Sequence, residues 1–404
     1  MVHITTHDLV SQETKRNPCA FYAQLREQGQ LYHFTDTDGA SAWLVINYDD
    51  AIALLTDPCV QNQHEVSTHD QQASSQKDVS GNIQNEPTHD TPNFTRLRPL
   101  VAKAFTPRMI EQLRPRIQQI TDELLDAVLD QGHMDLIADF AYPLPITVIS
   151  ELLGIPVTDR TSFRAWSQAI VNTPEDAHQQ AVQASARREL TRYITTLLSE
   201  KRAHPGSDLM SRLIQVEEGG VRLGEHEIIF IAFVLLVAGH ETTVNLIGNG
   251  VLALFTHPDQ LHLLQRDPSL IASTVEELLR YSPPVSLAFP RVAGEDIFLH
   301  GNVIRKGEKV YISLSAANLD PHQFPRPDVL DITRQKNPHL AFGKGIHFCL
   351  GAPLARLEGQ IALETVLRRL PQLSLVDDPE RLTWNHNLFL RGVTSLPVTF
   401  ANKQ

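Results

Sequence analysis

The run Ala341-Phe342-Gly343-Lys344-Gly345-Ile346-His347-Phe348-Cys349-Leu350-Gly351 sets one cysteine among three glycines, with a histidine two residues before it. A thiolate, not a thiol, binds metal, so such a site must favour loss of the proton. The stretch from Ala352 to Glu358 reads as a helix opening, with Pro353 in its first turn. That puts Cys349 beside free backbone N–H groups and the positive end of a helix dipole. The glycines let the backbone come close to a flat ligand. A structural cysteine is the commonest fate of a lone Cys, but it would need neither the glycines nor His347 nor Phe342. Zinc would call for further ligands at short spacing, and Cys19 and Cys59 lie far upstream without a C-x-x-C partner. A cysteine nucleophile would need a base, for which His347 at i−2 is poorly placed.

A second constellation is Leu235-Leu236-Val237-Ala238-Gly239-His240-Glu241-Thr242-Thr243, where an apolar run meets two small residues and then an acid and an alcohol. Small residues allow close approach and loosen a helical hydrogen-bond ladder. A carboxylate next to a hydroxyl can relay protons. Alone, the pair is better read as a solvated helix face with Thr242 bonded back to its own helix. A third pattern, Glu276-Glu277-Leu278-Leu279-Arg280, puts Glu277 and Arg280 three apart on one helical face, as an ion pair requires.

These residues need a helical frame to position them. Helices are predicted over Pro18 to Gln28, Asn47 to Thr56, from Thr95 onward with a reset at Pro115, Asp135 to Leu153, Arg160 to Val171, Glu175 to Ala203, Gly224 to Phe255, Pro258 to Arg266, Ile271 to Tyr281 and Pro353 to Leu370. Two short β segments flank Asp36-Thr37-Asp38-Gly39 as a hairpin, and strands recur over Ile297 to Leu299 and Lys309 to Leu314. Residues 61–92 are polar and read as a long mobile lid loop. The fold class is mainly α with a minor β part. No linker or repeat divides the 404 residues, so one catalytic domain is expected. A net charge of −12 argues against nucleic acid, and unpatterned cysteines indicate a reducing compartment. The first eight residues have no apolar stretch and the run from Ile228 to Ala238 falls short of the ~20 residues that span a bilayer. A cytoplasmic protein without a membrane anchor is expected.

The pattern F-G-x-G-x-H-x-C-x-G, matched at six fixed positions, resembles the haem-binding signature of the cytochrome P450 family, soluble bacterial type. The resemblance implies a triangular, helix-rich fold, with haem b between the long central helix and the helix after the cysteine loop. It implies that Cys349 is the axial ligand of the haem iron, a thiolate that pushes electron density toward O–O cleavage. The run from Ala238 to Thr243 is similar to the family's A-G-x-[DE]-T-T stretch over the distal face. Glu241 is then the proton-delivering acid and Thr242 the hydroxyl that assists oxygen activation, with Ala238 and Gly239 beside the cofactor. Arg98, Arg291 and His347 become candidates for the propionates, and Phe342, Gly343 and Gly351 for the cradle. Glu277 and Arg280 match the E-x-x-R motif and Arg334 its third member, all structural. Two positions depart from the pattern: Phe94 stands where a propionate-binding histidine is usual, and Leu319 where arginine is usual.

By the family's layout the substrate pocket is lined by Val234, Val237 and Ala238, by Val285, Ser286, Leu287, Ala288 and Phe289, and by Phe389 and Leu390. An apolar lining implies a lipophilic substrate such as a fatty acid, terpenoid, steroid or polyketide. No flavin or iron–sulfur segment is present, so electrons are expected from a ferredoxin or flavodoxin with its NAD(P)H reductase. That partner would dock near Lys103, Arg108, Lys344 and Arg356. The acid–alcohol pair favours an O2-dependent monooxygenase. The alternative is a peroxygenase, rearrangement enzyme or haem-dependent binding protein that needs no redox partner. A monomer is expected.

Overall fold

Two compact units form, one from residues 1–99, 285–328 and 339–349, the other from 100–284, 329–338 and 350–404. The computed structural model describes residues 4–36, 39–62, 92–171, 176–218 and 221–401. The bulk of the expected lid, residues 63–91, lies outside the described residues.

The first unit is built on a five-stranded sheet. Its order is Leu31–Thr35, Ser41–Val45, Lys309–Ile312, Arg291–Ala293 and Val60–Asn62. The second and third strands run parallel and the other pairs antiparallel. The expected hairpin is present, with Leu31 opposite Val45 and Thr35 opposite Ser41. Gln61 and Asn62 pair with Val292 and Arg291, so the segment taken as lid from residue 61 begins as sheet. The N–H groups of these residues satisfy the partner strand, a long-range pairing that local polarity cannot reveal. Val45, Leu54, Leu55, Val310, Ile312, Phe324 and Leu340 form the core. Helix Tyr48–Thr56 is tied to it by Asp320, whose Oδ2 accepts from Tyr48 N at 2.8 Å. Asn318 Oδ1 accepts from Leu340 N at 2.7 Å and so fixes the entry to the cysteine loop.

The second unit packs around the long helix Glu225–Thr256, which is flanked by Pro143–Leu153, Ala177–Ala203, Ile271–Tyr281 and Ala352–Arg369. The long helix is apolar nearly all round and every residue from Thr243 to Leu254 is buried, as expected of a core helix. By length and composition alone it could cross a bilayer, as could Leu136–Leu153, 67% of which is buried inside the structure.

Most predicted helices appear within a residue or two of their expected limits. The exception is Asp135 to Leu153. Asp135 caps a π-helical turn, Leu136–Ala141, closed by Tyr142 N donating to Ile137 O at 2.9 Å, and an α-helix restarts over Pro143–Leu153. Pro143 and Pro145 lack the N–H that a continuous α ladder needs. The strand predicted through Leu314 ends at Ile312. Ser313 then caps a short helix, Leu314–Asn318, through its hydroxyl accepting from Ala316 N.

Glu277 is the polar hub of the second unit. Arg280 donates to it twice, Nε to Oε2 at 2.9 Å and Nη2 to Oε1 at 2.8 Å. Arg334 Nε (3.0 Å), Asn337 Nδ2 (3.1 Å) and Asp331 N (3.0 Å) supply three more donors. Glu277 and Arg280 have no exposed surface. A buried carboxylate is tolerable when its lone pairs are filled by charge-assisted bonds. Glu277→Ala should therefore destabilise the protein by about 3–5 kcal/mol, seen as a lower denaturation midpoint. A loss below about 1 kcal/mol, the range of an exposed pair, would contradict this role.

Glu358, on Ala352–Arg369, is a second buried acid of opposite character. It is 1% exposed, and Oε2 has no hydrogen-bond partner. Burial pushes its carboxyl up to about 8. Between its ordinary value and about 8, the folded protein holds a proton that the unfolded chain has released. Stability should therefore decline as pH rises through that window, by about 1.4 kcal/mol per unit. Glu358→Gln removes the titration. The variant should match the parent near the low end of the window and be the more stable above its high end, by pH-resolved thermal unfolding. Parallel pH curves would refute the assignment.

Candidate active site

Cys349 stands at the end of a loop whose shape comes from two glycines in the left-handed region, Gly343 (φ 70°) and Gly345 (φ 73°). A Cβ on Gly345 would lie 3.2 Å from Leu55 O and from Thr56 Cγ2, so the loop is pressed onto the end of helix Tyr48–Thr56. Gly343 N donates to Leu340 O at 2.8 Å, and Cys349 N returns to Phe342 O at 2.9 Å. Phe342 and Phe348 pack edge to face at 6.2 Å. The backbone is thereby fixed while the Cys349 side chain stays exposed. Gly351 caps helix Ala352–Arg369, with Pro353 in its first turn as predicted.

Cations gather in the same unit. Arg98 Nη2 donates to the carbonyl of Phe348, the residue before the cysteine. Burial lowers its guanidinium from the ordinary value, and the charge of Cys349 acts the other way. Arg291 is 5% exposed, with Nη1 donating to Val60 O at 3.2 Å. His347 is half-buried in a 3-10 turn, Gly345–His347. The side chain of Phe94 lies outside the described residues. Leu319, the other departure, is core at 1% exposure.

This donor set fits haem. No group of three or more His, Cys, Asp or Glu able to hold a metal occurs among the described residues, so a metal here must bring most of its own ligands. A macrocycle would do so, and would ask of the protein a donor to its iron, which Cys349 could be, and partners for its acids, which Arg98 and Arg291 could be.

The long helix runs unbroken through Gly239 and Thr242. The Cβ position of Gly239 faces Ile149 of the neighbouring helix, with Cδ1 and Cγ1 both at 3.5 Å. That is ordinary van der Waals packing. Ala238 is exposed and Val234, Val237, Glu241 and Thr242 are half-buried, as are Phe233, Leu235 and Gly239. The spacing of Val234, Val237, Ala238, Glu241 and Thr242 puts these five on one face. Thr242 Oγ1 donates to Ala238 O at 3.1 Å, which leaves its lone pairs as acceptors. The Glu241 side chain is 21% exposed, with Oε1 3.5 Å from His240 Nε2.

The remaining pocket candidates differ among themselves. Phe289 is 73% exposed, Val285 and Ala288 are half-buried, and Ser286 (8%) and Leu287 (1%) are core. Leu287 forms an isolated bridge with Ser313, which explains its burial. The N–H groups of Phe389 and Leu390 both donate to Asn387 Oδ1 at 2.9 Å, a turn that holds the two side chains half-buried. Of the basic residues, Lys103, Arg108 and Lys344 are exposed, but Arg356 is engaged by Glu276 through bonds of 2.6 and 2.8 Å. Sequence reasoning passed over Asn337 and the backbone N–H of Asp331, which complete the Glu277 hub. It also gave no role to His240. The signal for His240 was present in its place directly before Glu241.

Comparison with known proteins agrees with this geometry. The family model for Cytochrome P450 matches residues 269–393, which include the E-x-x-R helix and the cysteine loop. Cytochrome P450 CYP107DY1 of Priestia megaterium is 47% identical, across 99% of this chain and all of the relative. Cytochrome P450 monooxygenase PikC of Streptomyces venezuelae is 44% identical over 96% of this chain and 92% of its own. The solved structure of PksS, the cytochrome P450 of the Bacillus subtilis bacillaene polyketide synthase, superposes with a TM-score of 0.90 at 41% identity, covering 99% of this chain and all of that one. The chain belongs to the cytochrome P450 family, has its fold, and is a monooxygenase whose cofactor is haem b.

Proposed function

We propose that this P450 inserts one oxygen atom from O2 into a lipophilic small molecule, by hydroxylation or epoxidation. Electrons come from a separate ferredoxin or flavodoxin with its NAD(P)H reductase. The observation that carries this reading is the acid–alcohol pair Glu241–Thr242, half-buried beside exposed Ala238 on a face of the long helix shared with Val234 and Val237. Haem, when bound, supplies the centre at which oxygen is activated and transferred. The protein's part is to hold it and bring protons. Cys349 would bind its iron as a thiolate. Arg98, Arg291 and His347 would pair with its acids, and Phe342, Gly343, Gly351, Ala238 and Gly239 would help to hold it. Glu241 carries protons inward. Thr242, whose own proton is committed to Ala238, accepts a hydrogen bond and so orients the group that receives them.

The half-buried Val234, Val237, Val285, Ala288, Phe389 and Leu390, with exposed Ala238 and Phe289, offer apolar surface for substrate. A polyketide-type substrate is the favoured class, since PksS is named for a polyketide synthase. Glu277, Arg280 and Arg334 are structural. We read the chain as one catalytic domain, because relatives match it over 99% of its length, and we further propose that it is monomeric and cytoplasmic.

The test is turnover with a reductase system and O2 against turnover with peroxide alone, in the parent and in Thr242→Ala. The expected result is that the parent needs reductase and O2. Thr242→Ala should keep consuming NAD(P)H while product falls about tenfold and peroxide accumulates. Equal turnover on peroxide alone, or unchanged coupling in the variant, would favour the partner-independent alternative.

A further inference from the structure

His240 lies on the long helix with no exposed surface, its ring edge to face with Tyr142 (5.6 Å) and near Phe163 (6.5 Å). Nδ1 is 2.9 Å from Leu236 O. A carbonyl only accepts, so Nδ1 carries a proton. In the neutral ring Nε2 then has a single lone pair to offer, and two side chains stand before it. Ser167 Oγ, from helix Arg160–Val171, is at 3.3 Å, and Glu241 Oε1 is at 3.5 Å. An anionic carboxylate has nothing to donate to a lone pair, and Ser167 takes it. A protonated Glu241 has an O–H that competes for the same atom. The ring nitrogen therefore distinguishes the loaded acid from the empty one.

We propose that His240 is a positioning residue for Glu241: its Nε2 receives the proton-bearing oxygen of that carboxyl and holds it folded back until the proton is delivered. The hydrogen bond shifts from Ser167 to Glu241 and back, and no covalent bond changes. This rests on the reading of Glu241 as the proton carrier. A bland role is also available to a buried histidine, namely a tie between two helices through Ser167, and the two roles make different demands on the neighbours. A tie fails when either end is cut. A positioning residue tolerates loss of Ser167, because Nε2 is then left to Glu241.

The experiment uses the holoenzyme with its reductase system and compares His240→Phe, which preserves ring packing, with Ser167→Ala and Glu241→Gln. Product per electron pair and the solvent deuterium isotope effect are measured. The ring nitrogens of His240 are also followed by heteronuclear NMR in the reduced CO complex. His240→Phe should lower coupling roughly three- to tenfold and change the isotope effect in the direction Glu241→Gln does, while Ser167→Ala stays close to the parent. The Nε2 resonance should move between parent and Glu241→Gln. Equal defects in His240→Phe and Ser167→Ala would reduce His240 to a helix tie and overturn the proposal. Parental coupling in His240→Phe, or an Nε2 resonance indifferent to Glu241→Gln, would also overturn it. If Glu241→Gln alone leaves the isotope effect unchanged, the proton-carrier reading fails, and the proposal with it. If His240→Phe does not take up haem, the NMR comparison decides in the same two directions.

Discussion

A fully buried carboxylate with five donors is the fixed point of the second unit. Glu277 holds Arg280 from its own helix, and Arg334, Asn337 and the Asp331 N–H from the segment 329–338. An ion left half-satisfied in such a place would cost more than it returns. The segment it pins leads, in sequence, straight into the cysteine loop. There the fastening continues with Asn318 on Leu340 and then the Phe342–Cys349 backbone bond. Between the hub and the thiol the backbone N–H groups of Leu340, Ala341, Gly343, Phe348 and Cys349 all donate within the protein. The result is a rigid loop whose one reactive atom remains open.

The chemistry divides along the same lines. The thiolate side is made rigid by glycines that permit left-handed turns and by close packing against helix Tyr48–Thr56. The proposed proton side is an unbroken helix that is only partly covered between Phe233 and Thr242 and fully buried from Thr243 to Leu254. A cofactor that supplies its own equatorial ligands asks little more of a protein than one donor, counterions for its acids and a controlled path for protons. The residues proposed for those roles are few.

Much of this was legible in the sequence, for physical reasons. Helices Pro18–Gln28, Arg160–Val171, Pro258–Arg266 and Ile271–Tyr281 have strong periodicity and clear stops, and they appear where the pattern puts them. The motif cysteine and the Glu277–Arg280 pair were readable because local spacing alone defines them. What failed depends on distant partners. Gln61 and Asn62 become strand only because Arg291 and Val292 are there to pair with them. The π turn at Leu136–Ala141 follows from how Pro143 restarts the helix, a choice that periodicity cannot make. Asn337 looks like any loop polar residue until Glu277 is placed beside it.

The central claim is that the Cys349 thiolate, and no other group, is the axial donor to haem. The reduced CO complex reports this directly, because a thiolate opposite CO shifts the main absorption band strongly to the red and a neutral ligand does not. The parent protein should show the red-shifted band. Cys349→His should retain haem and lose the shift. A red-shifted band that survives Cys349→His would contradict the assignment on which the account rests.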